Sequence, residues 1–333
     1  MIGRPPEFLI PAVPRPALPA QGDGLVWVSA SALIALHCGA ESLPLRYRAI
    51  RSTRSGIYLS PFKGRGMEFD EVRPYQQGDD ARTLDWRVTA RTGRPHTKLF
   101  REERERAVLL WVDLRRTMHF ATRGAFKAVR AAQAAALLGW SAVQHGDRLG
   151  GLLFAEGFHR ELAPRRGRAP LLHLLEQLAD APVWSASCDE SPADPATISA
   201  DAFTRLRRVA QPGSLIFLLS DFQFLDALTE AHLVQLARHN DLVLIQVYDP
   251  LEANLPPPGQ YRVSNGHTTF AFDAGSNAVR RRYHDAFDAR RTALTTLCRS
   301  HGMHHISLAT NDDPLEALQH GLGFYPRNGA TNR

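Results

Sequence analysis

The sequence predicts an α/β fold, a doubly wound, mostly parallel sheet with an N-terminal, mainly β cap segment. Three observations predict it. From residue 107 onward, short apolar runs such as "AVLLWVDL", "SLIFLLSDF" and "DLVLIQVYDP" alternate with amphipathic stretches. That is the grammar of strands buried on both faces and joined by crossover helices. Before residue 107 the pattern is broken by Gly, Pro and interleaved charges. With 333 residues, 44% of them hydrophobic, the chain is long enough for two domains and can bury a sizeable core.

The elements follow in chain order. Residues 1–24 are proline-rich and read as a flexible N-terminus. Residues 25–106 read as a β-rich segment: "LVWVSASALIAL" as a strand entering a small helix, then two short strands with turns at Gly56, Pro61 and Gly64. Residues 107–322 form the sheet domain. Its first strand is "AVLLWVDL", and the alanine-rich helix 125–146 stops at Gly146. "DRLGGLLFAE" and "FHRELAPRR" pair as a hairpin, followed by the helix "GRAPLLHLLEQLAD" and a Ser/Pro/Ala/Asp loop over 181–200. "DAFTRLRRVAQ" is a helix closed by Pro212-Gly213, and "LTEAHLVQLARHN" another, with a strand after each. A hairpin turns at Asn265-Gly266. A long basic helix over 277–301 leads to the strand "HHISLAT" and a helix opening at Asp313-Pro314. Residues 323–333 read as a disordered tail.

A net charge of +6 and a pI near 9.5 invite a nucleic-acid reading. Only three of the 40 basic residues are lysine (Lys63, Lys98, Lys127), and most arginines neighbour an acid, as in "REERERA". Paired arginines do not make a phosphate-tracking stripe, so no nucleic-acid partner is expected. Cys38, Cys188 and Cys298 are few, odd in number and far apart, which excludes a disulfide framework or zinc spacing and fits a reducing compartment. No apolar run approaches the roughly 20 residues that span a bilayer, and no secretory signal opens the chain, so a cytoplasmic protein without membrane insertion is expected.

Ligands of open α/β sheets meet the carboxyl ends of the strands. Those ends carry Asp113, Arg115 and Thr117 in "VDLRRTM", Ser220 and Asp221 in "LLSDF", and Asp249. The arrangement resembles the von Willebrand factor A domain, whose metal-ion-dependent adhesion site reads Asp-x-Ser-x-Ser with a distal aspartate. The resemblance implies that Asp113, Thr117 and Asp221 would be the magnesium ligands, since a hard cation takes hydroxyl and carboxylate oxygens. Arg115 stands where the middle hydroxyl belongs. A guanidinium 4 Å from another unit positive charge is repelled by about 4 kcal/mol at an effective dielectric of 20. The expectation is therefore a degenerate site with no required cofactor, in which Arg115 or Arg116 replaces the metal and pairs with Asp113 and Asp221. Thr197 is the positional candidate for the remaining hydroxyl.

The stretch "GRGMEFDEVRPYQQGDDARTLDWRVTAR", residues 64–91, interleaves acids and arginines without an apolar run. Its glycines permit tight turns, Asp79 or Asp80 is placed to cap a helical turn, and Phe69, Tyr75 and Trp86 offer an apolar floor. Glu68, Arg73, Tyr75, Asp79, Asp80, Arg82, Asp85, Trp86 and Arg91 sit in a spacing that resembles the bacterial family called domain of unknown function 58. Leu84 stands where that family has isoleucine. The resemblance implies a sheet domain of the von Willebrand A kind and a partner, a MoxR-type AAA+ ATPase, together with a client protein to be assembled or activated.

An enzyme is not expected. Neither a Gly-x-Ser-x-Gly elbow nor a Walker loop is present, and no dinucleotide Gly-x-Gly-x-x-Gly follows a strand. The alternative is a metal-dependent hydrolase using Asp79, Asp80 and Asp85. The neighbouring arginines would hold those carboxylates ionised, which disfavours a general acid.

Overall fold

A computed structural model describes residues 23–43, 67–76, 84–102, 106–185, 195–223, 225–264 and 269–323. Its centre is a six-stranded sheet. The strands are β3 (Ala107–Asp113), β4 (Arg148–Ala155), β5 (Phe158–Arg166), β6 (Leu215–Ser220), β7 (Asp241–Tyr248) and β10 (His304–Ala309). They lie in the order β10-β7-β6-β3-β4-β5, all parallel except β5, which returns antiparallel beside β4. The fold is the mixed α/β, mostly parallel sheet that the apolar runs predict.

Alternation along β3 explains the two layers. Val108, Leu110 and Val112 point to one face; Leu109 and Trp111 point to the other. The first face is covered by α4 (Lys127–Gln144), α5 (Arg168–Ala179) and α10 (Pro314–Gly321). Seven of its alanines let α4 lie deep in this layer, where nearly every side chain from Lys127 to Ala142 is buried. The second face is covered by α6 (Pro195–Val209), α7 (Ala227–Ala237) and α9 (Asn277–His301). Between β7 and α9 come the short α8 (Pro250–Ala253) and the hairpin of β8 (Gln260–Ser264) with β9 (Thr269–Asp273).

The N-terminal segment differs from its predicted β-rich character. The small helix expected within 25–36 is present as α1 (Ala30–Ala35) and is followed by α2 (His37–Ala40), while the strand expected before it is not formed. Ser29 caps α1 by accepting from the Ala32 amide at 3.1 Å, and helix-favouring Ala and Leu follow it. Val28, Leu33, Ala40 and Leu43 are buried in the α4 layer, so this stretch belongs to the core of the sheet domain rather than to a separate cap. The Trp140 indole donates to the Leu33 carbonyl at 3.3 Å, and Gln319 of α10 donates to the Ser42 hydroxyl at 2.8 Å. The β part is smaller: β1 (Met67–Pro74) pairs antiparallel with β2 (His96–Glu102), and α3 (Trp86–Thr92) lies between them in sequence. The two strands predicted within 43–66, most of the N-terminus predicted flexible over 1–24 and most of the tail predicted over 323–333 lie outside the described residues.

Candidate functional site

Because β3, β6 and β7 are parallel, their carboxyl ends share one edge of the sheet and bring Asp113, Ser220, Asp221 and Asp249 together. Asp113 is wholly buried and Arg115 is 2% exposed. The Arg115 guanidinium forks onto that carboxylate, Nε to Oδ1 at 2.9 Å and Nη2 to Oδ2 at 2.6 Å. Its backbone amide also donates to Oδ1, at 3.0 Å. The remaining arm, Nη1, donates to the Ser199 hydroxyl on α6 at 2.7 Å, and the guanidinium lies 5.6 Å from the centre of the Phe154 ring. Burial works to lower the Arg115 pKa, but Asp113 first, then Asp221 and Glu156, together more than offset it and the balance is upward. This guanidinium is charged at every working pH.

Ser220 gives its proton to Asp113 Oδ2 at 2.6 Å and accepts from the Phe222 amide at 3.2 Å. Phe222 is the one non-glycine with positive φ among the described residues, at 49°. Such a backbone persists where its surroundings hold it, and the Ser220 hydrogen bond does part of that.

The second aspartate is balanced by a lysine. Lys127, at the start of α4 and fully buried, donates from Nζ to Asp221 Oδ2 at 3.1 Å and to Glu252 Oε1 at 2.7 Å. Burial opposes its charge, while Asp221 and then Glu252 outweigh burial and raise its pKa. Gln223 donates to Glu252 Oε1 at 2.9 Å, and the other Glu252 oxygen accepts the Asp249 amide at 2.9 Å. Asp249 collects the Thr122 amide and hydroxyl, the Thr310 hydroxyl and the Leu251 amide, all within 2.8 Å. Burial works to raise its pKa; those donors overcome it and lower the pKa. Gly124 (φ +74) holds the neighbouring turn against the Thr310 carbonyl, only 2.1 Å from where a Cβ would stand.

The predicted pairing is thus half of what is found. Arg115 takes Asp113, but Asp221 is matched by Lys127 and not by either arginine. Arg115 has spent its fork on Asp113, and exposed Arg116 meets Glu156 through its backbone amide at 3.2 and 3.1 Å. Thr197 is exposed; Ser199, two residues on, is the hydroxyl of α6 that reaches the site. Thr117 Oγ1 is buried with no hydrogen-bond partner among the described residues.

A divalent ion does not fit this donor set. Both Asp113 oxygens already accept from Arg115, with Ser220 added on Oδ2, and Asp221 Oδ2 accepts from Lys127. A magnesium ion would have to enter beside two buried cations or expel them.

In the signature block, Asp85 caps α3, its Oδ1 accepting the Arg87 and Val88 amides at 2.9 and 3.1 Å. This is the capping role predicted for Asp79 or Asp80, which lie with Arg82 outside the described residues. Trp86, expected in an apolar floor, is instead 70% exposed, because it occupies the first helical position beyond the cap. The Tyr75 amide donates to the Pro95 carbonyl at 2.9 Å; Arg73 donates to the Pro74 carbonyl at 3.1 Å, and Arg91 is exposed in the last turn of α3. Glu68 lies on β1.

The profile of the family described as "Protein of unknown function DUF58" matches residues 71–293, a span that contains every strand-end group named above except Thr310. The chain belongs to that family. It is 30% identical over 263 residues to uncharacterized proteins of Mycobacterium bovis and Mycobacterium tuberculosis, with 78% of this chain and 79% of each relative covered. Among solved structures it is similar to a conserved hypothetical protein, BatB, from Bacteroides thetaiotaomicron, with a TM-score of 0.38. A second is an aerotolerance-related membrane protein from Bacteroides fragilis, with a TM-score of 0.37. Each is 11% identical, over 65% of this chain and 97% or 98% of the other. No helix among the described residues of this family member is long and apolar enough to cross a membrane.

Sequence reasoning missed Lys127, Ser199, Glu252, Thr122 and Thr310. Lys127 left one signal. In a chain that otherwise uses arginine, a lysine stands inside the apolar run "AFKAV" at the head of a buried helix.

Proposed function

We propose that this family member is a non-enzymatic docking module, a cytoplasmic adaptor of von Willebrand A-like design that recognises protein partners at the crest formed by Asp113, Arg115, Ser220 and Asp221. The observation that supports it is the pair of buried cations. Where the metal-dependent version of such a crest balances its aspartates with a divalent ion, Arg115 and Lys127 supply that charge from within. The rim is then preformed and independent of magnesium, and Arg116 and Gln223, both exposed beside it, are the groups a partner would meet. The proposed partners, a MoxR-type AAA+ ATPase and a client protein that the pair assembles or activates, rest on the family resemblance alone.

The test is capture from native lysate with and without ATP, using the full chain, an Arg116→Glu variant that leaves the buried network intact, and an EDTA arm. Specific capture of an AAA+ ATPase that survives EDTA and is lost with Arg116→Glu supports the proposal. Capture abolished by EDTA, or tight calorimetric magnesium binding that vanishes in Asp113→Ala, overturns it.

A further inference from the structure

Helix α9 carries two apolar stripes. Phe287, Leu294 and Cys298 form the buried one, against the sheet. The other comprises Val279, Tyr283, Ala286, Ala293 and Leu297, with Arg290 set among them at alternating steps of four and three residues. That spacing places them on one helical face. Val279 is 46% and Tyr283 38% exposed; Ala286, Arg290 and Ala293 are exposed as well. Helix α7 repeats the pattern: Ala227, Ala231, Val234 and Arg238 follow the same steps, and Leu228 beside them is 53% exposed. The two helices border an open groove of about 590 Å³, with Ala231, Val234 and Leu297 among its apolar lining and Arg238 and His301 at its rim.

Exposed apolar stripes on neighbouring elements mark interaction surfaces. Heptad spacing is what one helix presents to another, and small side chains allow the partner's backbone to come near. Charge selects the occupant. Helix α9 holds six arginines against two aspartates. Asp288 is taken by Arg291 and His284. Exposed Arg281, Arg282 and Arg290 have no carboxylate partner among the described residues. Two copies of this chain brought together along α9 would align like charges; an acidic helix would match them. Among the described residues, Glu230 is the single acid lining the groove.

We propose that the α7–α9 groove receives an amphipathic, acidic α-helix of a partner protein, with its apolar face on the alanine-lined floor and its carboxylates on Arg238 and Arg290. The groove's own lining shares no residue with the strand-end network, although Arg290 on the stripe also lines a small pocket with Asp221, Gln223 and Glu252. Variants at Ala231 and Ala293 touch none of the crest residues, so their failure would leave the crest reading standing.

The probe is a pair of fluorescein-labelled helical peptides with one Leu/Ala seam, flanked by glutamates in one and lysines in the other, titrated against the full chain. The Glu-flanked peptide is expected to bind saturably, at least about tenfold tighter than its Lys-flanked twin. Ala293→Glu on the seam is expected to weaken that binding about tenfold or more, and Ala289→Glu on the outward face of α9 to leave it unchanged. If Ala293→Glu unfolds the protein, Ala231→Glu on α7 gives the same reading from the opposite wall. Equal affinity for both peptides, no saturable binding, or indifference to the seam variants overturns the proposal. Concentration-dependent dimerisation that the seam variants abolish would overturn it too, by assigning the groove to a second copy.

Discussion

Replacing Lys127 by methionine isolates the charge balance of the crest. The ammonium is fully buried and donates to Asp221 at 3.1 Å and to Glu252 at 2.7 Å. Each contact is a gross attraction of roughly 5 kcal/mol at 3 Å and an effective dielectric of 20, most of it offset by desolvation. Removing the lysine leaves two carboxylates facing each other in its place, and breaking a buried pair this way costs about 3–5 kcal/mol. Methionine keeps most of the volume, so little of that loss would come from a cavity. Because the Lys127 pKa is raised, its contribution is complete at pH 7 and fades only as pH climbs past 10.5 toward that raised value. Urea unfolding at pH 7, followed by tryptophan fluorescence, reads the change as a lower midpoint at constant slope. Lys127→Met, and not the parent, is expected to gain stability from millimolar magnesium, since ion binding stabilises a protein that has a site for it. A loss below about 1 kcal/mol, or an equal magnesium response in both proteins, would refute the internal-cation argument.

Three further outcomes follow from the same geometry. Arg115→Lys forfeits the fork on Asp113 and the bond to Ser199; an expected loss of about 2–3 kcal/mol in urea unfolding checks whether guanidinium shape matters beyond charge. Burial first, then His304 and Arg291, lower the His305 pKa to about 4, so the unfolded chain takes up its proton first as pH drops below 6.5. Stability should fall between pH 6.5 and 4, by about 1–2 kcal/mol after screening of a partly exposed ring, and an unchanged profile in His305→Asn would exclude this source. Gly124→Ala would place a Cβ 2.1 Å from the Thr310 carbonyl oxygen at φ +74, and a loss of about 2 kcal/mol or more in thermal unfolding is expected.

What the sequence discloses tracks the range of the interaction. The strands of the sheet were readable because burial on both faces demands uninterrupted apolar runs, and β3, β6 and β7 have them. The shared crest was readable from topology, which places Asp113 and Asp221 on one edge without knowledge of any side chain. Lys127 was not, because its partners lie 94 and 125 residues away and no local rule pairs them. Ser199 fell to the same obstacle: position suggested Thr197, and only the helical phase of α6 decides which hydroxyl turns inward. The small helix after Val28 was readable, but "LVWV" was misjudged as a strand, whereas Leu25 and Val26 are exposed and burial begins at Val28. Trp86 was misplaced by treating an aromatic as buried by default, when the Asp85 cap sets its direction.

The clasp between Ser42 and Gln319 joins residues 277 positions apart, and Leu315 of α10 lies close to Gly39 of α2. One layer of the protein is therefore sealed by the earliest and the latest helices among the described residues. During synthesis the flank of α4 beside Gly39 and Ser42 must wait, uncovered, until α10 has left the ribosome. Premature termination just before Pro314 would release a chain with that apolar flank open to chaperones and proteases.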